Sequence, residues 1–223
     1  MTTPKVKHPA PYSPAIIDAM ATLINREALR RDLPVHELMV LDPMAGTGRI
    51  HQLPARTFGI ELEPEWAAWH PDTKVGNACS LPFDDDRFHA IGVSPAYGNR
   101  FADHHNPKDT STRRSYKFDL GRDPSPGSSG VLHFGPAYRR LHQRAWEEAT
   151  RVLMPGGLFM LNVSNFVRDF QVVQVAEWHM AVLFRLGYLL ESAETVSTRR
   201  LRHGANREAR VDGELVVALR KPL

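Results

Sequence analysis

Two carboxylates and a glycine-bearing turn carry the first chemical signal in this 223-residue chain. In VLDPMAGTGR an apolar run ends at Asp42 and passes into Pro43, Met44 and Ala45, with Gly46 and Gly48 behind them. Glycines at such a turn let bare backbone approach a ligand closely. Nineteen positions after Asp42 a second apolar run ends in Glu61, where a carboxylate can accept both hydroxyl hydrogens of a ribose. GTGR lacks the lysine and hydroxyl pair of a phosphate-binding loop and the third glycine of a dinucleotide site. An acidic residue at the head of the turn also suits a cationic ligand better than a pyrophosphate. A further polar feature, Ser94-Pro95-Ala96-Tyr97, directly follows another apolar run. Singly, these read as a strand-to-helix turn, a solvated strand end and a strand end with a packed tyrosine. Their joint occurrence in this order argues for one site.

The elements that must position these residues follow from periodicity. MTTPKVKHPAPYSP, residues 1–14, is rich in proline and predicts an extended arm. From Ala15 to Arg31 the apolar residues Ile16, Ile17, Met20, Leu23, Ile24 and Leu29 recur at helical spacing, with Ser13 as cap and Pro34 beyond the end. Leu38 to Leu41, Thr57 to Ile60 and Ala90 to Val93 predict short buried parallel strands, with a shorter one at Lys74 and Val75. Residues 98–136 have neither period nor core bulk and predict a long loop or insert on the substrate side. A helix is expected over Ala137 to Leu153, stopped by Pro155 and the glycines of MPGG before the strand LFMLNVS. A second is expected over roughly Val172 to Leu186, with Gly187 as its cap. Strands at Tyr188 to Ser192 and Glu214 to Arg220 flank a basic loop, residues 197–213. The alternation predicts an α/β fold, a mostly parallel doubly wound sheet with a terminal antiparallel strand, in a single domain spanning 1–223.

Composition narrows the class. The 42% hydrophobic content supports one core. Cys79 is the single cysteine, which excludes an internal disulfide, and no apolar run has the length of a membrane span or signal peptide. These features lead us to expect a soluble, cytoplasmic protein with no membrane partner, a monomer or a homodimer. The formal net charge is only +3 although the pI is about 9.2. A polyanion must therefore be met by local clusters. His104 and His105 lack partners at ligand spacing, and no metal site is expected.

Taken together, DPMAGTG, GIELEPEW and GNACSLPFDDDRF resemble the first motif, acidic second motif and third-strand motif of the class I S-adenosylmethionine-dependent methyltransferases, across most of residues 38 to 93. RVLMPGG before a strand is also typical of that family. The resemblance implies a Rossmann-like, seven-stranded sheet. It implies that Asp42, Pro43, Met44, Ala45, Gly46, Gly48 and Glu61 hold S-adenosylmethionine. Asn77 and Ala78 would bracket the adenine and Leu62 would pack on its face. Asn77 stands where an aspartate is usual, and its amide can both accept from and donate to the adenine. HPAPYSP resembles the segment that closes over the methionine end of the cofactor in DNA amino-methyltransferases, which makes Tyr12 and Ser13 candidates for that lid.

SPAY resembles the (Asp/Asn/Ser)-Pro-Pro-Tyr motif of amino-methyltransferases, so Ser94, Pro95 and Tyr97 are the candidate catalytic residues. By that resemblance the Ser94 hydroxyl and the Pro95 carbonyl would accept from a conjugated amine as it attacks the sulfonium methyl, and Tyr97 would stack on an extruded base. No strong base is expected. Serine in first place implies methylation of cytosine N4 in DNA ahead of adenine N6. RNA methylation at adenine N6 or guanine N2, and methylation of a protein glutamine amide, are the enzymatic alternatives. Ala96 replaces the second proline of the motif, which sustains a non-enzymatic alternative, a protein that binds cofactor or nucleic acid without turnover. For nucleic acid, the expected contacts are Arg100, Arg113 and Arg114 in the insert, with Tyr116, Phe118 and Arg122 nearby, and Arg199, Arg200 and Arg202 in the basic loop.

Overall fold

The structure, a computed structural model, describes residues 12–98, 116–168, 170–198 and 213–223. Helix α1, Pro14–Arg31, begins where the Ser13 hydroxyl accepts from the Ile16 amide, with Pro14 in the first turn. It ends at Asp32, whose left-handed backbone at φ 52° turns the chain. Its buried stripe is Ile16, Ile17, Met20, Ile24 and Ala28. Each large aliphatic side chain in that stripe contributes about 1.5–3 kcal/mol by leaving water.

Seven strands form the sheet, in the order β3-β2-β1-β4-β5-β9-β8. They are β1 Met39–Asp42, β2 Arg56–Glu61, β3 Thr73–Val75, β4 Phe88–Val93, β5 Leu153–Val163, β8 Leu189–Ser197 and β9 Gly213–Arg220. β1 pairs in parallel with both β2 and β4, while β9 runs antiparallel to β5 and β8. The expected mixed sheet with an antiparallel strand is therefore present. Side chains alternate across it. Val40, Ala90, Leu158, Met160, Val216 and Ala218 face α1, and Leu41, Ile91, Phe159, Leu161, Val217 and Leu219 face the other core. That second core is covered by α4, Pro136–Val152, and α5, Val175–Arg185.

The helices differ in length between the two halves of the sheet. After β1 comes only a 3₁₀ turn, Arg49–Gln52, and after β2 only α2, Pro64–Ala67. The chain winds outward from β1 to β3 and returns at β4, so the strand order reverses between β1 and β4. The crevice beyond the carboxyl ends of these two strands is where open α/β sheets bind ligands.

Three expectations are corrected. MPGG does not separate α4 from a strand: α4 ends at Val152 and β5 starts at Leu153, with a register shift opposite Phe88 and Ala90 that absorbs those residues. Gly156, at φ 64°, turns its carbonyl to the guanidiniums of Arg30, Arg31 and Arg220, which also surround the buried Glu27. Val172 is not helical, because Phe166–Arg168 and Gln171–Val173 pair as a small hairpin, β6 and β7. α5 starts at Val175 and closes as expected, with Gly187 at φ 91° and the Gly187 and Tyr188 amides bonded to the Phe184 and Leu183 carbonyls. The insert also contains regular structure, the helix α3, Tyr116–Leu120.

Candidate functional site

Strand β1 delivers Asp42 into the crevice fully buried. One carboxylate oxygen accepts from the Met44 amide at 2.9 Å and the other from the Tyr12 hydroxyl at 2.9 Å. Desolvation pushes Asp42 up to about 7; the Met44 amide and Tyr12 hydroxyl pull against it, and Glu61 adds to the rise. No cation lies among these partners. Tyr12 is itself buried, and burial and the neighbouring Asp42 hold its hydroxyl protonated.

Gly46 and Gly48 take left-handed backbone at φ 54° and 74°. A Cβ at Gly48 would stand 2.8 Å from His51 and 2.9 Å from His70. The turn is tied to β2 by the Ala45 amide on the Ile60 carbonyl and by the Gly46 amide on Glu61 at 2.8 Å. The second Glu61 oxygen accepts from the Glu63 amide at 2.9 Å. A carboxylate has about four lone-pair directions, so acceptor capacity remains for a ligand hydroxyl. Pro43 and Ala45 are buried, and Met44 and Leu62 are half-buried. Asn77 is exposed with its oxygen accepting from the Cys79 amide, which leaves the NH₂ as the group to offer, and Ala78 joins the main core.

Glu63 was not recognised in the sequence. It is 1% exposed, and Arg122, the Ser125 amide and the Ser125 hydroxyl all donate to it within 2.9 Å. The segment following α3 is thus clamped onto the loop after β2. Tyr116 lies buried there, edge-on to Trp66 at 5.3 Å and face-on to Gly130. Tyr116 and Arg122 are therefore corrected: the first is core and the second is engaged by Glu63 and Glu65, so neither is offered to a nucleic acid.

On the other side of the crevice, Ser94 and Tyr97 meet two residues that sequence reading missed, Asn162 from β5 and Glu214 from β9. The Tyr97 hydroxyl donates to Glu214 at 2.7 Å and lies 3.2 Å from the Ser94 hydroxyl. The Asn162 nitrogen reaches Glu214 at 2.8 Å, Ser94 at 3.0 Å and Tyr97 at 3.2 Å. Turning that amide over would set its oxygen against the carboxylate, so the nitrogen must face Glu214. The Asn162 oxygen is buried and has no partner among the described residues.

The turn at Ala96 is held by a buried relay. Trp146 donates to His179 Nδ1 at 2.9 Å, so the remaining imidazole proton sits on Nε2, 2.8 Å from the Tyr138 hydroxyl. Tyr138 in turn donates to the Ala96 carbonyl at 2.6 Å. Burial depresses His179 well below its usual range and keeps it neutral. Beside the turn, the Phe134 amide bonds the Gly98 carbonyl. Phe134, Arg139, Val173, Gln174, Glu177 and Trp178 there line an open cleft of about 560 Å³.

The remaining candidates divide. Ser13 is engaged as the cap of α1. Arg100, Arg113, Arg114, Arg199, Arg200 and Arg202 lie outside the described residues, as do Phe101, His104 and His105. His51, His70 and Asp72 bring ligand-type atoms within 4.8 Å of one another. The two imidazoles are stacked 3.8 Å apart at 13°, so their in-plane lone pairs run nearly parallel and do not converge on one ion. Both His51 nitrogens are also engaged, with Thr57 and Thr73. Among the described residues no helix is long and apolar enough to cross a membrane.

No family model matches the sequence, and no curated protein matches it. Solved structures do. The [4+2]-cyclase SpnF is 18% identical, with 92% of this chain and 83% of that one covered at a TM-score of 0.55. A SAM-dependent methyltransferase from Methanosarcina mazei is 13% identical, with 87% and 97% covered at 0.53. The N-methyltransferase NodS from Bradyrhizobium japonicum, solved with S-adenosyl-L-homocysteine, is 10% identical, with 93% and 88% covered at 0.50. A shared fold does not by itself determine a shared reaction, and the cyclase illustrates this. With its mostly parallel seven-stranded sheet, this chain has the Rossmann-like fold of the class I SAM-dependent methyltransferases.

Proposed function

We propose that this chain is an enzyme, a single methyltransferase domain that transfers a methyl group from S-adenosylmethionine to an exocyclic amino nitrogen of a nucleic-acid base. DNA cytosine N4 is the favoured acceptor, ahead of adenine N6. The observation that carries this reading is the parallel pairing of β1 with β4, which brings Asp42 of the cofactor turn and Ser94 of the acceptor motif to the same edge of the sheet, where the Tyr12 hydroxyl donates to Asp42. The two motifs thereby face one crevice at the strand-order reversal.

The residues present fit the cofactor. Asp42 is a buried carboxylate with no cationic partner among the described residues, which suits a sulfonium compound, and Glu61 retains acceptor capacity for ribose hydroxyls. When bound, S-adenosylmethionine supplies an electrophilic methyl group. Gly46 would allow its close approach, while the space beside Gly48 is taken by His51 and His70, and the NH₂ of Asn77 would donate to an adenine ring nitrogen. On the acceptor side, Ser94 and the Pro95 carbonyl would receive the two hydrogens of the amine and so stabilise the charge that develops on nitrogen. The anchored Tyr97 would offer its ring to the base. Arg139 over the Phe134 ring, at 4.8 Å, suits contact with a flanking nucleotide.

Incubation of the purified protein with methyl-labelled S-adenosylmethionine and unmethylated DNA, RNA or protein tests the reading, followed by nucleoside and peptide mass analysis. N4-methylcytosine in the DNA pool is expected. Label in RNA or on glutamine would redirect the substrate assignment, and label in none of the three would sink the methyltransferase reading.

A further inference from the structure

The polar cluster at the acceptor side has a direction. Glu214 in its ionised form can only accept, so the Tyr97 hydroxyl at 2.7 Å must donate to it. With its proton committed, the Tyr97 oxygen is left to accept, and the Ser94 hydroxyl at 3.2 Å is oriented to donate to it. The Asn162 amide has two hydrogens for the three oxygens it reaches; one goes to Glu214 and the other to Ser94 or Tyr97, and either choice leaves that order in place. The chain from Ser94 through Tyr97 therefore ends on Glu214. A glutamine in its place would accept from the same two donors without the cost of partly desolvating a charge. What the carboxylate adds is the ability to take a proton. Glu214 is half-buried at the crevice end of β9, so a proton taken there can pass on to solvent.

We propose that Glu214 is the terminal proton acceptor of the reaction, reached through the hydroxyls of Ser94 and Tyr97. The proposal rests on the methyl-transfer reading above and departs from the expectation, drawn from the sequence, that no strong base serves the site. The amine lone pair forms the new N–CH₃ bond as the S–CH₃ bond breaks, with that bond's electron pair remaining on sulfur. The nitrogen then carries a positive charge and one proton too many. It gives this proton to Ser94 Oγ while the Ser94 proton moves to the Tyr97 oxygen and the Tyr97 proton to Glu214 Oε2. The products are a neutral methylated amine, a neutral thioether and a protonated Glu214, which returns its proton to water.

Three variants and one spectroscopic measurement test this. Glu214→Gln keeps the shape and the hydrogen bonds but not the base, and kcat should fall on the order of 10²-fold or more. Calorimetry should find its affinity for S-adenosylmethionine unchanged. Glu214→Ala should lose as much and recover in part with added formate. Tyr97→Phe should fall with no recovery in formate. In protein carrying ¹³Cζ-labelled tyrosine, with neither cofactor nor substrate present, the Tyr97 resonance should move between wild type and Glu214→Ala. Full kcat in Glu214→Gln, no response of Glu214→Ala to formate, or an unmoved Tyr97 resonance overturns the proposal. Wild-type protein that transfers no methyl group overturns the parent reading and this one with it. Wild-type transfer with an undiminished Glu214→Gln overturns this one alone.

Discussion

The two walls of the crevice are built from different materials. On the cofactor wall, carboxylates mainly hold backbone: Asp42 takes the Met44 amide, Glu61 takes the amides of Gly46 and Glu63, and Glu63 takes that of Ser125, with the side chains of Tyr12, Ser125 and Arg122 added to Asp42 and Glu63. On the acceptor wall, side chains hold side chains: Ser94, Tyr97, Asn162 and Glu214 bond one another across three strands, and the buried Tyr138–His179–Trp146 relay ends on the single carbonyl of Ala96. A wall of backbone amides presents a fixed shape and suits a ligand that is always the same. A wall of hydroxyls, an amide and a carboxylate contains protons that can move. The difference matches the two tasks proposed for the crevice, holding a constant cofactor and handling the acceptor's proton.

The comparison can be broken most severely at Glu61. Glu61→Ala would leave the Gly46 and Glu63 amides without their acceptor, at a cost of about 1–3 kcal/mol for each amide that stays buried. We expect S-adenosylmethionine affinity to fall by about 100-fold or more, about 2.7 kcal/mol, with a lowered melting temperature. Calorimetry and thermal unfolding check both. Unchanged affinity would remove Glu61 from the cofactor wall.

Tyr138→Phe tests the other wall and should act on it alone. It removes the hydroxyl between Ala96 and His179 while keeping the ring that contacts Phe134 and Trp178. Turnover should fall about tenfold, which corresponds to about 1.4 kcal/mol in the barrier, while cofactor affinity stays as it was. Hydrogen exchange at the Ala96 and Tyr97 amides should rise. If exchange and kcat both match wild type, the relay does not hold the acceptor turn.

The smallest effect sharpens the contrast through pH. Asp42 is raised from its ordinary 3.8 to about 7 by burial, so the folded apo protein holds a proton there that the unfolded chain has released. Asp42 therefore costs the apo protein stability as pH rises from about 4 to about 7, and the cost is constant above that. A cationic ligand favours the ionised form. S-adenosylmethionine affinity should accordingly rise by several-fold between pH 6 and pH 8, and Asp42→Asn should flatten the dependence. Calorimetry across that range decides it, and an identical slope in the variant would show that Asp42 does not carry the effect.

Several parts of this arrangement are legible in the sequence because their physics is local. The Ser13 cap, the turn through Gly46 and Gly48, the strand ending at Glu61 and the glycine that closes α5 are each set by a few consecutive residues. Where local signals conflict, the reading went astray. Pro155 and two glycines look like a break between elements, yet they sit in the irregular start of β5, where a register shift accommodates them. Val172 and Val173 fit a helical stripe as well as a strand, and pairing with β6 decided for the strand.

By itself, the sequence determined the α/β sheet, the crevice-facing turn at Asp42, the placement of Glu61 and the position of the SPAY segment after β4, since each follows from contiguous backbone preference and strand periodicity. Only the tertiary structure decided the partners. Glu63 reads as one acidic residue among several until Arg122 and Ser125 are folded onto it. Asn162 sits in an apolar strand and Glu214 stands second in the last one, and nothing near either in sequence marks it. They meet Ser94 and Tyr97 because the sheet order places β5 between β4 and β9, and a hydrogen bond between distant side chains exists only once that order is set.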